Sequence, residues 1–287
     1  MSIQEKPLRY GEGGRGFAML TTPAHDDGSP IVVMLNAGLL NRAEPYRLNV
    51  LAARRLAEIG YICVRVDLSG KGDTPAREGL SNRESVALDW KYLREALDRQ
   101  LGPRALVIMG LCSGADNGIK LSAADERIRG LILLDARSPV DAGFRVRRYA
   151  AKMLRLGSWL HLPATIIRRL FKTSADEPWQ QNLRDLPRPD ELRQCAQNMV
   201  RVDGRMMMVF TSQATNYYNS EGQFVRAMGI VGLNRICREH FWPDVEHLYP
   251  VEEHRQRLLG AIERWAEEHL EHLRSVTRAS AAMSACG

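Results

Sequence analysis

The sequence predicts an α/β fold built on a mostly parallel sheet, and three observations carry that prediction. Short apolar runs alternate with amphipathic helical patterns along most of the chain, the order that builds parallel sheets from strand–helix–strand units. One apolar run, Ala105–Met109, passes straight into a glycine-flanked turn and then a helical pattern. The 287 residues suit one large domain of this class with room for an insertion.

Strands are expected at Gly16–Thr21, Pro30–Leu35, Tyr61–Val66, Ala105–Met109, Gly130–Leu134, Arg205–Thr211 and His240–Trp242. The first is expected in an antiparallel hairpin turning at Asp26-Asp27-Gly28. The helix expected over Glu44–Ile59 carries Leu48, Leu51, Ala52 and Leu56 at core spacing, and that over Glu84–Gln100 carries Val86, Trp90, Leu93 and Leu97. Gly114–Ala124, Glu221–Ile236 and Val251–Leu273 complete the helical set. From Ser138 to about Arg201 no core strand is legible, and Pro163, Pro178, Pro187 and Pro189 punctuate helical patterns. The expected layout is a core of residues 1–137 and 202–274, a helical cap inserted at 138–201, and a disordered small-residue tail at 275–287.

Composition excludes several classes. Hydrophobic residues make up 45% and charged residues 26%, a balance that buries a core without disulfide staples. No apolar run reaches the roughly 18 residues of a membrane span, and the polar stretch Met1–Arg9 does not read as a signal peptide. Cys63, Cys112, Cys195, Cys237 and Cys286 are scattered, with neither metal-ligand spacing nor a disulfide framework. A reducing, cytoplasmic setting is expected, with no metal and no cofactor. The net charge of +6 raises the question of nucleic acid, but no nucleic-acid motif accompanies it.

The segment Ala105–Ala115, ALVIMGLCSGA, carries the chemistry. An apolar strand, then Gly110-Leu111-Cys112-Ser113-Gly114, then a helix is the small–x–nucleophile–x–small elbow of the α/β-hydrolase fold, with cysteine where serine usually stands. The turn is so tight that the residues two before and two after the nucleophile must be small. Cys112 would then sit at a helix N-terminus, which favours a thiolate. Ser113 is one place late for a nucleophile; its backbone N–H is expected to donate to an oxyanion. The N–H of Gly38, in Asn36-Ala37-Gly38 after the Pro30–Leu35 strand, is the second expected donor.

The order in this fold is nucleophile, acid, histidine. His247 follows the last strand and precedes the long C-terminal helix, the place expected for the base. The usual acid position follows the Arg205–Thr211 strand, where Ser212-Gln213-Ala214-Thr215-Asn216 offers no carboxylate. Glu221, the first acid downstream, and Asp135, at the end of the preceding strand, are the candidates; a Cys–His pair without an acid is a third possibility.

Together, LNAGLLNRAEPYRLNVLAARRLAEIGY, VRVDLSGKGDT and GLCSGADN, with the arginine-rich insertion, resemble the exosortase-A-system-associated hydrolases, within the serine aminopeptidase-like set of α/β-hydrolases. The likeness spans roughly residues 32–273. The cysteine elbow also resembles those of dienelactone hydrolases and polyhydroxyalkanoate synthases. The resemblance implies an acyl-transfer or hydrolase site at Cys112 and His247, without naming a substrate. Asp67, Ser69, Gly70, Gly72 and Asp73 match the turn bordering the active site in such proteins and are read as structural.

Between Asp141 and Asp176 no acidic residue occurs, whereas Arg145, Arg147, Arg148, Lys152, Arg155, Arg168, Arg169 and Lys172 all fall there among leucines and isoleucines. This cationic amphipathic pattern is either a solvated rim or a docking surface for an acidic carrier protein, a coenzyme A phosphate or anionic lipid. The sequence thus points to an enzyme that takes an acyl group from an ester or thioester onto Cys112 and passes it to water or another acceptor. The other reading is an idle scaffold that binds an acyl ligand or acidic partner through its cap.

Overall fold

The computed structural model describes residues 3–153 and 184–285. An eight-stranded sheet organises them. Its strands are β1 (Gln4–Tyr10), β2 (Gly16–Thr22), β3 (Ile31–Leu35), β4 (Ile62–Asp67), β5 (Leu106–Leu111), β6 (Ile128–Leu134), β7 (Arg205–Thr211) and β8 (Cys237–Trp242). The spatial order is β1-β2-β4-β3-β5-β6-β7-β8. β2 pairs antiparallel with both β1 and β4, and every later pairing is parallel.

The main helices are α1 (Leu48–Glu58), α2 (Asn82–Leu101), α3 (Ser113–Ala124), α4 (Phe144–Met153), α5 (Pro189–Arg201), α6 (Gln223–Met228), α7 (Leu233–Ile236) and α8 (Glu252–Ala285). They cover both faces of the sheet. On one face Val33, Ile108, Leu133 and Met208 meet Trp90 and Leu93 of α2, Ile119 of α3 and Met199 of α5. On the other, Val32, Val107, Ile132 and Val209 meet Leu56 of α1 and Leu258, Ile262 and Trp265 of α8. Neighbouring strand residues thus point to opposite cores, which is why the central strands are apolar throughout. Among the described residues no helix is long and apolar enough to cross a membrane.

Three sequence expectations change, and one strand, β1, lies outside them. The N-terminal hairpin joins β1 to β2 through Glu12–Gly14 and does not turn at Asp26-Asp27-Gly28, because β3 pairs between β4 and β5 rather than with β2. β1, QEKPLRY, is polar and contains a proline, the composition of an edge strand and a poor hydrophobic signal. The helix expected over Glu221–Ile236 is split at Gly229 and Gly232, both at positive φ. The backbone of α8 continues to Ala285, so residues 275–285 are helical rather than a disordered tail; four alanines in that stretch favour helix.

The expected cap boundary also moves. Residues 189–201 form α5, whose Leu192, Cys195, Ala196 and Met199 are buried in the core against α3. Most of the remaining insertion, with Arg155, Arg168, Arg169 and Lys172, lies outside the described residues.

Candidate active site

The elbow forms where β5 meets α3. Cys112 stands between them at φ 55°, ψ −117°, a conformation that costs a non-glycine residue strain and is held only by its surroundings. Its N–H donates to Leu134 O at 2.8 Å, and its carbonyl accepts the first helical bond, from Asp116 N–H at 3.0 Å. A Cβ on Gly110 would lie 2.4 Å from the carbonyl carbon of Gly114, and one on Gly114 would lie 2.7 Å from Asn36 O. Both positions therefore require glycine.

The loop after β8 brings His247 to this elbow. Cys112 and His247 stand close enough for each to shift the other's titration. On the other side of the ring, His247 Nδ1 lies 2.6 Å from Asp135 Oδ2. Asp135 follows β6 at φ 50° and is fully buried. Its carboxylate also accepts from the N–H of Thr211 at 2.6 Å and from the Thr211 hydroxyl at 2.5 Å. Thr211 stands at the end of β7, so the neighbouring strand serves as a donor to the acid that β6 supplies.

Glu221 is not part of this chain. Its Oε1 accepts from Phe241 N–H at 3.1 Å, an exposed bond beside β8. Proximity in sequence to the end of β7 misleads here, because the segment after Asn216 folds away toward β8 before Glu221 is reached.

The electrostatics favour a charged pair. Burial alone would push the Cys112 thiol up, but its interaction with His247 and the charge of Arg184 outweigh it, and the thiol lies below its ordinary value. For His247, burial pulls downward, and the bond to Asp135 with the influence of Cys112 prevails, raising the imidazole to about 9. Other described cysteines behave oppositely. Burial pushes Cys63 and Cys237 up, and Cys195 up to about 12.

Arg184 is a site residue that sequence reading missed. It bonds through Nε to the fully buried Asp116 in the first turn of α3, and Nη2 donates to Asp135 O at 2.9 Å. It joins the elbow helix to the backbone of the acid. The next residue, Asp185, accepts from Lys120 of α3 at 2.8 Å and from Arg83 at 3.0 Å. No motif marks a cation some seventy residues beyond the cysteine, so no sequence signal suggests the pairing with Asp116.

The oxyanion candidates lie together, with one difference from expectation. Gly38 N–H donates to the Ser113 hydroxyl at 2.7 Å. The Ser113 backbone N–H belongs to the first turn of α3, where it has no acceptor within the helix. Asn36 fixes the Gly38 loop from below. Its side chain donates to Leu40 O at 3.0 Å and to Asp67 at 3.1 Å, and accepts from Leu68 N–H at 2.8 Å.

Of the basic stretch, Arg147 is committed internally. It binds Asp141 at 2.6 Å and Asn219 at 2.8 Å, and so braces α4 instead of serving as a free docking cation. Arg148 donates to Asn216 O at 3.2 Å, while Arg145 is exposed. Among the described residues no three His, Cys, Asp or Glu side chains gather to hold a metal.

Solved structures share this architecture. A cold-adapted esterase from an Arctic intertidal metagenomic library aligns with a TM-score of 0.56 at 15% identity, over 94% of this chain and 95% of that one. A putative dienelactone hydrolase from Klebsiella pneumoniae aligns with a TM-score of 0.54 at 13% identity, over 92% and 98%. The fold is that of the α/β-hydrolases. A thioesterase domain from the curacin biosynthetic pathway aligns likewise, with a TM-score of 0.52 at 15% identity, over 91% and 99%. No protein-family model and no curated protein sequence matches the chain.

Proposed function

We propose that the protein is an acyl-transfer enzyme whose nucleophile is Cys112, acting on an ester or thioester. One observation carries the reading. His247, bonded to Asp135, adjoins Cys112 on a strained elbow at a helix N-terminus, the arrangement that activates a nucleophile. The esterase and thioesterase fold neighbours are compatible with that chemistry.

In this mechanism the Cys112 thiolate attacks the substrate carbonyl carbon. The oxyanion is received by the N–H groups of Gly38 and Ser113, the Ser113 hydroxyl yielding its place on Gly38. The tetrahedral adduct collapses, the bond to the leaving oxygen or sulfur breaks, and His247 supplies the leaving group's proton. An acyl thioester on Cys112 remains. Neutral His247 then takes a proton from water or another acceptor, which attacks the thioester, and expulsion of Cys112 restores the thiolate and imidazolium. Asp135 orients the ring and offsets its charge throughout.

An intercepting amine or alcohol would make the enzyme an acyltransferase, and water would make it a hydrolase. The likeness to exosortase-A-system-associated hydrolases belongs to the same proposal, as does a cytoplasmic setting. The idle-scaffold reading rested on the lack of a carboxylate after β7; Asp135 in contact with His247 removes that motive.

The test is to incubate the protein with a panel of acyl thioesters and activated esters and measure intact mass, then map the modified peptide. A mass increase equal to the acyl group, on Cys112 and absent from Cys112→Ala, is expected. Acylation elsewhere, or none across the panel, would overturn the reading.

A further inference from the structure

Two cations are buried among the described residues, Arg65 and Lys71. Arg65 is paired with Glu5 at 2.7 Å. Lys71, with 9% of its surface exposed, makes no side-chain hydrogen bond or ion pair among the described residues. The carboxylates around it are taken. Asp89 accepts from Ser69 N–H at 2.6 Å and from Arg77 at 2.8 Å, and Asp185 holds neighbouring Lys120. A lysine this deeply buried, with no paired anion among the described residues, is costly, and burial together with Lys120 pulls Lys71 below its ordinary value.

The position of Lys71 is tightly set. It lies in the turn after β4, with its N–H on Leu68 O and its carbonyl accepting from Thr74 N–H, both at 3.0 Å. Asp67 pins this turn by accepting from Asp73 N–H at 3.1 Å and from Asn36. A Cβ on Gly72 would lie 2.2 Å from Asp67 Oδ2. β3 runs between β4 and β5, so the Lys71 turn and the Cys112 elbow flank the Asn36–Gly38 loop on one edge of the sheet. Two strand spacings, about 10 Å, separate the two turns. This carboxyl edge is where open α/β sheets bind ligands. Charge on Asp89 and, more weakly, on Cys112 opposes the downward shift of Lys71.

We propose that Lys71 is the anion-binding residue of the acyl pocket, receiving a carboxylate carried by the acyl group that Cys112 takes up. The proposal rests on Cys112 being the nucleophile. Phosphates of a pantetheine carrier lie at the far end of a long arm from the thioester, so an anion within reach of both residues belongs to the acyl group. The substrates would then be half-esters or half-thioesters of dicarboxylic acids, or similar acyl groups with a free carboxylate.

Iodoacetate and iodoacetamide differ only in that carboxylate, and comparing them isolates Lys71. Both alkylation rates at Cys112 are measured at constant ionic strength by peptide mass spectrometry. In the wild type the iodoacetate-to-iodoacetamide ratio should exceed that of free N-acetylcysteine. In Lys71→Met and Lys71→Gln the ratio should fall by about fivefold or more, the scale of a partly screened ion pair, and Lys71→Arg should restore it. Folded variants with an unchanged ratio would overturn the subsite while leaving the nucleophile intact. Failure of iodoacetamide to label Cys112 would instead refute the nucleophile, and with it the subsite. Should the variants not fold, the wild type decides: malonate should slow iodoacetamide labelling and malonamide should not, and equal effects would overturn the proposal.

Discussion

His247 Nδ1 meets Oδ2 of Asp135 at 2.6 Å, and the acid comes from the end of β6, one strand earlier than the usual position after β7. The strand order makes this possible. β6 and β7 are parallel neighbours, so a carboxylate leaving β6 lies beside the end of β7 and takes its stabilising donors from Thr211.

Asp135→Asn should therefore cut turnover by about a hundredfold or more, the direction seen when a triad acid loses its charge. Glu221→Gln should stay within about twofold, as surface changes away from a site usually do. Steady-state turnover on an acyl thioester, with thermal unfolding as a control on the fold, compares the two. Equal, small losses would mean that the site works as a Cys–His dyad.

The pH profile follows from the two shifted groups. The Cys112 thiol is held below its ordinary value, so alkylation should already proceed near neutrality and rise on an acid limb below that of a free thiol. His247 keeps its proton up to about 9, so oxygen-ester turnover, which needs that proton for the leaving group, should decline above this pH. His247→Ala should move the alkylation limb upward and lower turnover by about a hundredfold, the usual scale for loss of a general base. A single ascending limb at the free-thiol position would contradict the ion pair.

Arg184 is predicted to be a positioning residue whose charge acts on the thiol. Removing that cation takes away a downward influence on Cys112, so the thiol rises. Arg184→Gln should slow iodoacetamide labelling by about three- to tenfold at pH 6.5, a partly buried charge effect, and should barely affect it at pH 9.5. Arg184→Lys should recover part of the loss. Equal slowing at both pH values would mean that the residue only holds the backbone.

Ser113 tests the choice of nucleophile. Its hydroxyl accepts from Gly38 N–H, a place the substrate oxyanion would take. Ser113→Ala keeps the backbone donor, so turnover should remain within about fivefold of wild type, far from the hundredfold or larger loss of an oxyanion donor. Acylation should still map to Cys112. Loss of acyl-enzyme in Ser113→Ala with retention in Cys112→Ala would reverse the assignment.

The basic stretch is predicted to act through cations other than Arg147. Arg147 is tied to Asp141, so the useful variant replaces Arg145, Arg168 and Arg169 with Gln. If the stretch recruits an acidic acyl carrier, salt and this variant should both lower kcat/KM for the carrier-bound substrate, because steering is screened over about 8–10 Å. A small neutral ester should respond little to either. Parallel responses would reduce the stretch to a solvated rim.

The elbow was legible because its constraint is local. Gly110 and Gly114 face each other across five residues, and that short-range steric demand is written directly in GLCSG. The core helices α1, α2 and α3 were legible for a similar reason, since helical periodicity records which side is buried. β1 was not, because an edge strand with charges and a proline carries no such record.

The sequence by itself determined the alternating α/β architecture, the strained Cys112 turn and the delivery of His247 after the last strand. It left Asp135 and Glu221 unresolved, since each lies near a strand end and the choice depends on which ends are neighbours. Only the tertiary structure shows that Asp135, and not Glu221, meets His247, and only it shows the clamp of Arg184 on Asp116 and the isolation of Lys71 among the described residues. Those features depend on which residues meet, or fail to meet, across dozens of positions, are fixed by sheet order and burial, and no local spacing encodes them.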